Sequence, residues 1–205
     1  MAKKELGGGA LLAPVPPVMV SCGNKETGET NIITVGWTGI VNTKPPKTYI
    51  SVRPQRHSYH IIKESGEFVI NLTSEQLVKS ADFCGIYTGK KLDKFEKCGL
   101  TREASKEVWS PSIGESPLSI ECRVTEIIPM ESHHMFLADI VAIRAAEELF
   151  DEKGKLCLDR AKLCAFAHGE YFALGKKLGY FGFSTKKSVK KGKSRRKKSK
   201  GGDKK

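Results

Sequence analysis

Two long segments rich in β-branched and aliphatic residues constrain the fold of this chain more than any other feature of its sequence. They span residues 118–129 and 134–145, and only the polar link Met130-Glu131-Ser132-His133 separates them. A link this short can join antiparallel neighbours, whereas parallel strands need a much longer crossover. We therefore predict an antiparallel hairpin at the edge of a barrel.

Shorter β-rich stretches precede this hairpin. Turn residues bound each of them, and the predicted strands are Pro16–Gly23, Asn31–Thr38, Lys47–Arg53 and Glu67–Leu72. The order of these strands, with short helical stretches between them, is typical of a mainly β protein. We expect a small antiparallel, Greek-key-like barrel with short helices packed outside it.

Two short helices are predicted between the strands. The first covers Ser58–Ser65, with apolar residues at helical spacing, Ser58 as the N-cap and Gly66 as the stop. The second covers Ser74–Phe83 and has the residues of a capped helix. The stretch from 85 to 115 is predicted to be mostly loop.

The positive charge of the chain is concentrated at its C-terminal end. The formal net charge is +12, yet residues 184–205 hold 12 of the 35 Lys and Arg and only one of the 23 Asp and Glu. We predict one domain over residues 1–183, nearly neutral, followed by a disordered Lys/Arg-rich tail. The tail has the composition of a segment that contacts polyanions such as nucleic acid without sequence preference.

Membrane, secreted and disulfide-stabilised classes are not favoured. No apolar run approaches the roughly 18 residues of a membrane span, and Pro14 interrupts the short apolar run near the N-terminus. The sequence therefore predicts a cytoplasmic protein without a membrane partner. The six cysteines are scattered and form no Cys-x-x-Cys unit, which favours reduced, packed thiols over a zinc or redox site.

Three motifs with known chemistry do not fit. The stretch from Gly85 to Lys91 resembles a phosphate-binding loop, but it is one residue short and lacks the Ser or Thr after the lysine. No G-x-G-x-x-G follows a strand, so a dinucleotide-binding Rossmann site is not supported. The pair His133-His134 would point to opposite faces of a strand, and we predict no metal site there.

One region collects groups suited to an anionic ligand. Arg53 and Arg56 offer planar forks for a phosphate, and Ser58 stands at the start of a predicted helix, whose free N–H groups attract anions. Trp37 and Thr38 follow a strand glycine, where a planar ring could approach the backbone. Taken alone, the arginines would be better explained as surface charges and Trp37 as part of the core, but their order along the chain favours a mononucleotide-like cofactor.

The same region carries a resemblance to a known family. In order and spacing it is similar to the FMN-binding flavin reductase-like family, and most to its flavoredoxin branch, over NIITVGWTGIVNTKPPKTYISVRPQRHSYHIIKESGEFVINL. Three later segments also resemble that branch: ADFCGIYTGKKLDKF, HHMFLADIVAI and HGEYFALGKKLGYF. The resemblance covers about residues 14–183.

What the resemblance implies is a split β-barrel that forms a homodimer and binds FMN. The implied ring and ribityl contacts are Thr34, Gly36, Trp37 and Thr38. The implied contacts at the phosphate end are Arg53, His57, Ser58 and Tyr59. Lys94 is a further candidate from the loop above the flavin, the alternative being a solvated lysine.

The catalytic side is less defined by the resemblance. His134 occupies the place of a Gly-Asp-His triplet associated with the nicotinamide substrate, but this chain has Ser132-His133-His134. NAD(P)H is therefore an uncertain transient reductant, and a redox protein or another small molecule could exchange electrons with the flavin. His168 could be structural or could face the mouth of the site.

Three functions follow from these observations. The first is an FMN-dependent oxidoreductase that passes electrons or hydride to a small acceptor or a partner protein, including an electron carrier without NAD(P)H activity. The second is a non-catalytic nucleic-acid-binding protein that uses the basic tail. The third is a barrel that has lost its cofactor and serves as a scaffold, against which the retained Trp37, Arg53 and Ser58 argue.

Overall fold

A computed structural model of the protein describes residues 1–185. One compact unit covers Met1–Leu174, and the described residues after it contain a short 3-10 helix at Phe183–Thr185. Residues 186–205, the greater part of the predicted basic tail, lie outside the described residues. The predicted domain boundary at residue 183 therefore stays a prediction.

The strands of the compact unit form one large sheet and two small ones. In chain order they are β1 (Val18–Gly23), β2 (Thr30–Val35), β3 (Thr38–Thr43), β4 (Pro46–Val52), β5 (Glu67–Asn71), β6 (Arg102–Glu103), β7 (Ser112–Ile113), β8 (Leu118–Pro129), β9 (His134–Ala145), β10 (Cys164–Ala167) and β11 (Glu170–Ala173). Seven of them make an antiparallel sheet in the order β2-β1-β5-β8-β9-β4-β3. Two hairpins, β10-β11 and β6-β7, make the small sheets. The predicted mainly β, antiparallel architecture is confirmed.

The long hairpin is confirmed, but its predicted position is wrong. β8 and β9 pair from Leu118 with Ala145 to Pro129 with His134. They lie in the middle of the sheet, because β5 pairs with the free side of β8 and β4 with the free side of β9. A long strand offers a hydrogen-bonding edge on each side, and the residue pattern does not tell whether a third strand fills it.

The predicted strand Asn31–Thr38 is wrong at its C-terminal end. β2 stops at Val35 and β3 starts at Thr38, with Gly36 and Trp37 forming a bend. β2 and β3 form opposite edges of the sheet, so a two-residue connection requires the sheet to curl until these edges approach each other. The backbone N–H of Ser51 on β4 donates to the carbonyl of Trp37 at 3.0 Å and fixes this bend. The curled sheet is the split barrel.

Within residues 1–185, three α-helices pack outside the sheet. They are α1 (His57–Ser65), α2 (Val78–Ile86) and α3 (Lys94–Cys98). Gly66 ends α1 in the left-handed conformation, with φ of 70°, as predicted. The predicted N-cap is wrong, because Arg56 holds that position and Ser58 is buried inside the first turn.

The second helix also differs from its prediction, which was a single capped helix over Ser74–Phe83. Residues Glu75–Leu77 form a 3-10 turn before α2, and the side chain of Ser74 makes no capping hydrogen bond. The predicted loop from 85 to 115 contains α3, whose N-cap Asp93 accepts from the N–H of Glu96. α3 has only five residues, too few for apolar periodicity to predict it.

Two apolar clusters form the core. The larger one lies under α1 and includes Ile62, Phe68 and Phe136. The smaller one joins β1 and β2 to α2 and α3 through Met19 and Phe95. All six cysteines are free thiols, and four of them are buried. Within residues 1–185, no helix has the length and apolarity needed to cross a membrane.

Candidate functional site

A large cavity lies where the β2–β3 bend faces the end of β4. Its volume is about 690 Å³, within the range of small-molecule and cofactor sites. Residues 10–13 of the N-terminal segment and the β10-β11 hairpin form its other walls. The side chains and backbone that line it near the bend are Thr34, Val35, Gly36, Trp37, Ser51, Val52, Arg53, Arg56, Gly85 and His133.

A small polar recess of about 80 Å³ lies at the N-terminus of α1. It is lined by Asn31, Ile33, Gln55, Arg56, His57, Ser58, Cys84, Tyr87, Thr88, Gly89 and Lys94. Arg56 and Ile33 line both the recess and the large cavity. One elongated ligand could therefore occupy both, with an apolar end in the cavity and a small polar end in the recess.

Positive groups concentrate where the two spaces meet. Arg53 lines the cavity and Arg56 lines both spaces. No side chain caps the first turn of α1, which begins at His57 beside the recess. Free N–H groups at a helix start and guanidinium groups both favour an anion. The region is suited to a phosphate group.

Trp37 and His133 form an aromatic pair at the cavity wall. Their ring centroids are 4.5 Å apart with a tilt of 45°. Burial, together with the positive charges of Arg53 and Arg56, lowers the pKa of His133 below its ordinary value. The imidazole is therefore kept neutral near pH 7.

His133 lines the cavity, whereas the sequence had suggested His134. The Nδ1 atom of His134 lies 2.7 Å from the hydroxyl oxygen of Tyr59. The two rings meet edge to face, and Tyr59 also packs on Phe136 in the core. Neither Tyr59 nor His134 lines the cavity or the recess.

The other predicted site residues fall into three groups. Thr34, Gly36, Trp37 and Arg53 line the large cavity, whereas His57, Ser58 and Lys94 line the recess. Thr38 lines neither space, because its hydroxyl donates to the carbonyl of Tyr49 at 2.6 Å within the β3-β4 pair. The hydroxyl of Thr34 donates to the carbonyl of Ala81, which ties β2 to α2.

Lys94 is not the solvated lysine of the alternative prediction. The residue is only 4% exposed, and its Nζ donates to the carbonyls of Ile32 and Cys84, both at 2.8 Å. Burial lowers its pKa, with a smaller contribution from the charge of Arg56 in the same direction. Lys94 starts α3 and places an amine in the floor of the recess.

Hydrogen bonds fix the remaining polar walls of the recess. The amide nitrogen of Asn31 donates to the hydroxyl of Ser58 at 2.8 Å. The Nε2 atom of His57 lies 2.7 Å from a carboxylate oxygen of Glu29. Ser58 and His57 are therefore oriented from β2 and its preceding turn rather than free in solvent.

Several lining residues were not found from the sequence. Asn31 and Gly89 belong to the recess, and the Cβ that Gly89 lacks would stand 2.2 Å from the Asn31 side-chain oxygen. The segment from Gly85 to Lys91, which fails as a nucleoside-triphosphate loop, contributes part of this wall. Its glycines were the available signal. Residues 10–13 carry no comparable signal.

His168 had two interpretations from the sequence, structural or facing the mouth of the site. In the structure it lines the cavity.

Comparisons with known proteins identify the family of the chain. The chain belongs to the flavin reductase-like family, since the family model described as "Flavin reductase like domain" matches residues 12–175. The structure is similar to the flavoredoxin of Desulfovibrio vulgaris (Miyazaki F), with a TM-score of 0.83 and 31% identity over 90% of this chain and 100% of that one. A flavoredoxin from Methanosarcina acetivorans has a TM-score of 0.78 and 26% identity over 90% and 100% of the respective chains.

A sequence relative of this chain also covers most of it. An uncharacterized protein of Aquifex aeolicus is 28% identical over 167 residues, which are 79% of this chain and 85% of the relative. The recognition of the flavin reductase-like family and its flavoredoxin branch is confirmed, as is the split-barrel fold. The donor set of the site fits a flavin nucleotide, because a wide cavity with an aromatic wall adjoins a small recess of polar donors at a helix start.

Proposed function

We propose that this protein is an FMN-binding oxidoreductase of the flavin reductase and flavoredoxin type, which transfers electrons or hydride to a small acceptor or a partner protein. The observation that carries the proposal is the junction at Arg56. This one residue lines both a cavity wide enough for a planar ring system and a polar recess suited to a phosphate.

The recess would hold the phosphate end of the cofactor. Arg56 supplies a guanidinium, the first turn of α1 supplies free N–H groups, and Ser58 supplies a hydroxyl already oriented by Asn31. Lys94 adds positive potential below them, although both of the hydrogen bonds found for it go to backbone carbonyls. These groups would anchor the ligand and set its direction toward the cavity.

The cavity would hold the ring. The isoalloxazine supplies the electron and hydride chemistry when it is bound, so the residues around it act by orientation and control of access. Gly36 lets the backbone of the bend approach a ring, and the Trp37-His133 pair forms a wall next to it. The neutral His133 imidazole can donate or accept a hydrogen bond at this wall without adding a charge.

The N-terminal segment and the β10-β11 hairpin would control access to the ring. Both line the cavity, and a pair of backbone hydrogen bonds of 2.9 Å joins Val15 to Phe166. These walls would limit which molecules can lie beside a bound flavin. NAD(P)H is one candidate reductant and a small redox protein is another.

We propose that the working unit is a homodimer. The support is the resemblance to the family together with exposed apolar side chains on the edge strand β3, where Ile40 and Val41 are 63% and 50% exposed. An edge strand with exposed apolar residues is a surface that proteins normally cover. Analytical ultracentrifugation of the full chain, compared with the variant Ile40→Lys/Val41→Lys, measures this directly.

FMN binding is the test of the proposed function. The purified full chain is titrated into FMN and into riboflavin while the flavin fluorescence is followed. We expect quenching by both, with much tighter binding of FMN because only FMN fills the recess. Equal affinity for the two ligands would show that the recess does not bind the phosphate. Absence of binding by either ligand would overturn the proposal.

The electron donor is then identified with the FMN-loaded protein. NADH, NADPH and a reduced ferredoxin are mixed with it without oxygen, and bleaching of the flavin absorbance is recorded. Bleaching by a nicotinamide supports a flavin reductase, whereas bleaching by ferredoxin alone supports an electron carrier. Failure of all three donors with a chemically reducible flavin would contradict the proposed oxidoreductase activity.

A further inference from the structure

Three cysteine thiols converge on the buried amine of Lys94. They come from three different elements: Cys22 from β1, Cys84 from α2 and Cys98 from α3. All three lie within electrostatic range of the Lys94 ammonium. Lys94 itself is fixed, because its Nζ donates to the backbone carbonyl of Cys84 and to that of Ile32 at 2.8 Å. The proposed function assigns no role to these thiols.

Cys84 and Cys98 are direct neighbours within this group. Helix α2 packs against α3, and both cysteines belong to the same apolar cluster around Phe95. Cys98 raises the pKa of the Cys84 thiol, an effect that only a near neighbour exerts. The Lys94 bond to the Cys84 carbonyl holds the start of α3 against α2, so the two cysteines stay in neighbouring positions on the packed helices.

The two thiols differ in their access to solvent. Cys98 is partly exposed on the last turn of α3, whereas Cys84 is buried and lines the recess. Burial and, to a smaller extent, the neighbouring Cys98 raise the pKa of Cys84 to about 12, against a lowering effect of Lys94. Cys84 therefore remains a thiol at neutral pH, and a reagent from solvent reaches Cys98 first.

We propose that Cys84 and Cys98 form a redox modification site, in which a peroxide converts the two thiols to a disulfide between α2 and α3. The inference does not depend on FMN binding. Cys22 is the third thiol, but it is fully buried and its Sγ points to the carbonyl of Asn31 at 3.7 Å. It is therefore not the partner of Cys98.

The reaction has two steps and needs hydrogen peroxide as the oxidant. The Cys98 thiol attacks one peroxide oxygen, the O–O bond breaks, and a sulfenic acid and one water are formed. The Cys84 thiol then attacks the sulfenic sulfur, an S–S bond forms, and a second water leaves with the Cys84 proton. Two thiols and one peroxide thus give one disulfide and two waters. A low-molecular-weight thiol reverses the modification by exchange.

The position of the disulfide gives it a consequence for the recess. Cys84 is part of the recess wall beside Lys94 and Ser58. When its sulfur is bonded to Cys98, the side chain is fixed toward α3 and the wall can no longer adjust around a ligand. Oxidation thereby changes the region proposed for the phosphate without altering a charged group.

The experiment treats the purified full chain with hydrogen peroxide, then quenches it and denatures it. Free thiols are alkylated with one reagent, disulfides are reduced, and the released thiols are alkylated with a second reagent of different mass. We expect the second label on Cys84 and Cys98 and the first on Cys22, together with a linked peptide containing residues 84 and 98. Dithiothreitol before the first step should abolish the linked peptide.

Matched variants decide the pairing. In Cys98→Ser, Cys84 should carry only the first label, whereas Cys157→Ser removes another partly exposed cysteine and should leave the disulfide intact. Oxidation of Cys98 to sulfinic acid with Cys84 unchanged, or a disulfide that joins Cys98 to any other cysteine, would overturn the proposal. Because the wild-type peptide map decides by itself, a variant that fails to fold does not prevent the test.

Discussion

The imidazole of His133 lies against the indole of Trp37, with ring centroids 4.5 Å apart. The two residues come from distant parts of the chain: Trp37 stands in the bend between β2 and β3, and His133 directly precedes β9 at the tip of the central hairpin. Their contact joins the bend that curls the sheet to the strands at its centre. The cavity wall is thus built at the point where the split barrel closes.

The titration of His133 is the first prediction. Burial, then the charges of Arg53 and Arg56, lower its pKa below the ordinary value of 6.5. We expect Arg56→Ala, and also Arg53→Ala, to raise the His133 pKa toward 6.5, measured by NMR of the imidazole nitrogens against pH. Arg123→Ala on β8, whose guanidinium donates to the carbonyl of Glu107, is the matched control and should leave the pKa unchanged.

The lowered pKa of His133 also makes the stability of the fold depend on pH. A lowered histidine pKa means that the unfolded chain binds the proton more readily than the folded one. As the pH falls through 6.5 toward the folded-state pKa, the His133 contribution to the free energy of unfolding must decrease. Urea unfolding of the wild type and of His133→Gln at several pH values measures this contribution as the difference between their free energies of unfolding. A difference that grows as the pH falls would contradict the prediction.

Arg53 and Arg56 are expected to contribute to FMN affinity. Loss of a hydrogen bond to a charged group costs about 1.5–3 kcal/mol, so Arg53→Ala and Arg56→Ala should each weaken FMN binding by about 10- to 150-fold. For Arg56→Ala the loss should be much smaller with riboflavin, which lacks the phosphate. Arg123→Ala again serves as the control in isothermal titration. Unchanged dissociation constants in both variants would show that other residues hold the phosphate.

Gly89 is expected to be essential to the shape of the recess. A Cβ at this position would lie 2.2 Å from the Asn31 side-chain oxygen, and Asn31 is held in place by its bond to Ser58. Gly89→Ala should therefore lower the free energy of unfolding by about 1–3 kcal/mol and weaken FMN binding. Gly9→Ala, with nothing within 4 Å of the added carbon, is the matched control. Equal denaturation midpoints for the two variants would refute the expected clash.

Tyr59 is expected to act on stability rather than on the ligand. Tyr59→Phe removes the hydroxyl that lies 2.7 Å from Nδ1 of His134 and should lower the free energy of unfolding by about 1 kcal/mol. FMN affinity should stay at the wild-type value, and a double-mutant cycle with His134→Phe should show coupling between the two. If affinity falls while stability is unchanged, Tyr59 belongs to the phosphate end, as the family resemblance implies.

Features that depend on neighbouring residues along the chain were predictable. The β8-β9 hairpin followed from two β-rich runs with a short link, and the end of α1 followed from Gly66 in a left-handed position. The cationic region at Arg53 and Arg56 was also visible, because both arginines stand just before a helix start. These signals are local and do not require the tertiary fold.

Features that depend on tertiary packing were not predictable in the same way. Adjacent residues at a strand end point to opposite faces, so one position decides whether His133 or His134 reaches the cavity. Lys94 could not be recognised as buried, since the carbonyls of Ile32 and Cys84 that satisfy it lie on other elements of the fold. The bend at Gly36 and Trp37 required knowledge that β2 and β3 lie on opposite edges.

The walls of the large cavity are held with very different strength. On one side, β4 and the central hairpin share continuous ladders of backbone hydrogen bonds. On the other side, the N-terminal segment is attached at the isolated bridge between Val15 and Phe166, and Leu12 before it is 89% exposed. Segments with few bonds open at low free energy while the rest of the protein stays folded. We therefore expect this N-terminal segment to open before the strands around the cavity do, and we predict that shortening the chain before Val15 accelerates both the entry and the release of FMN.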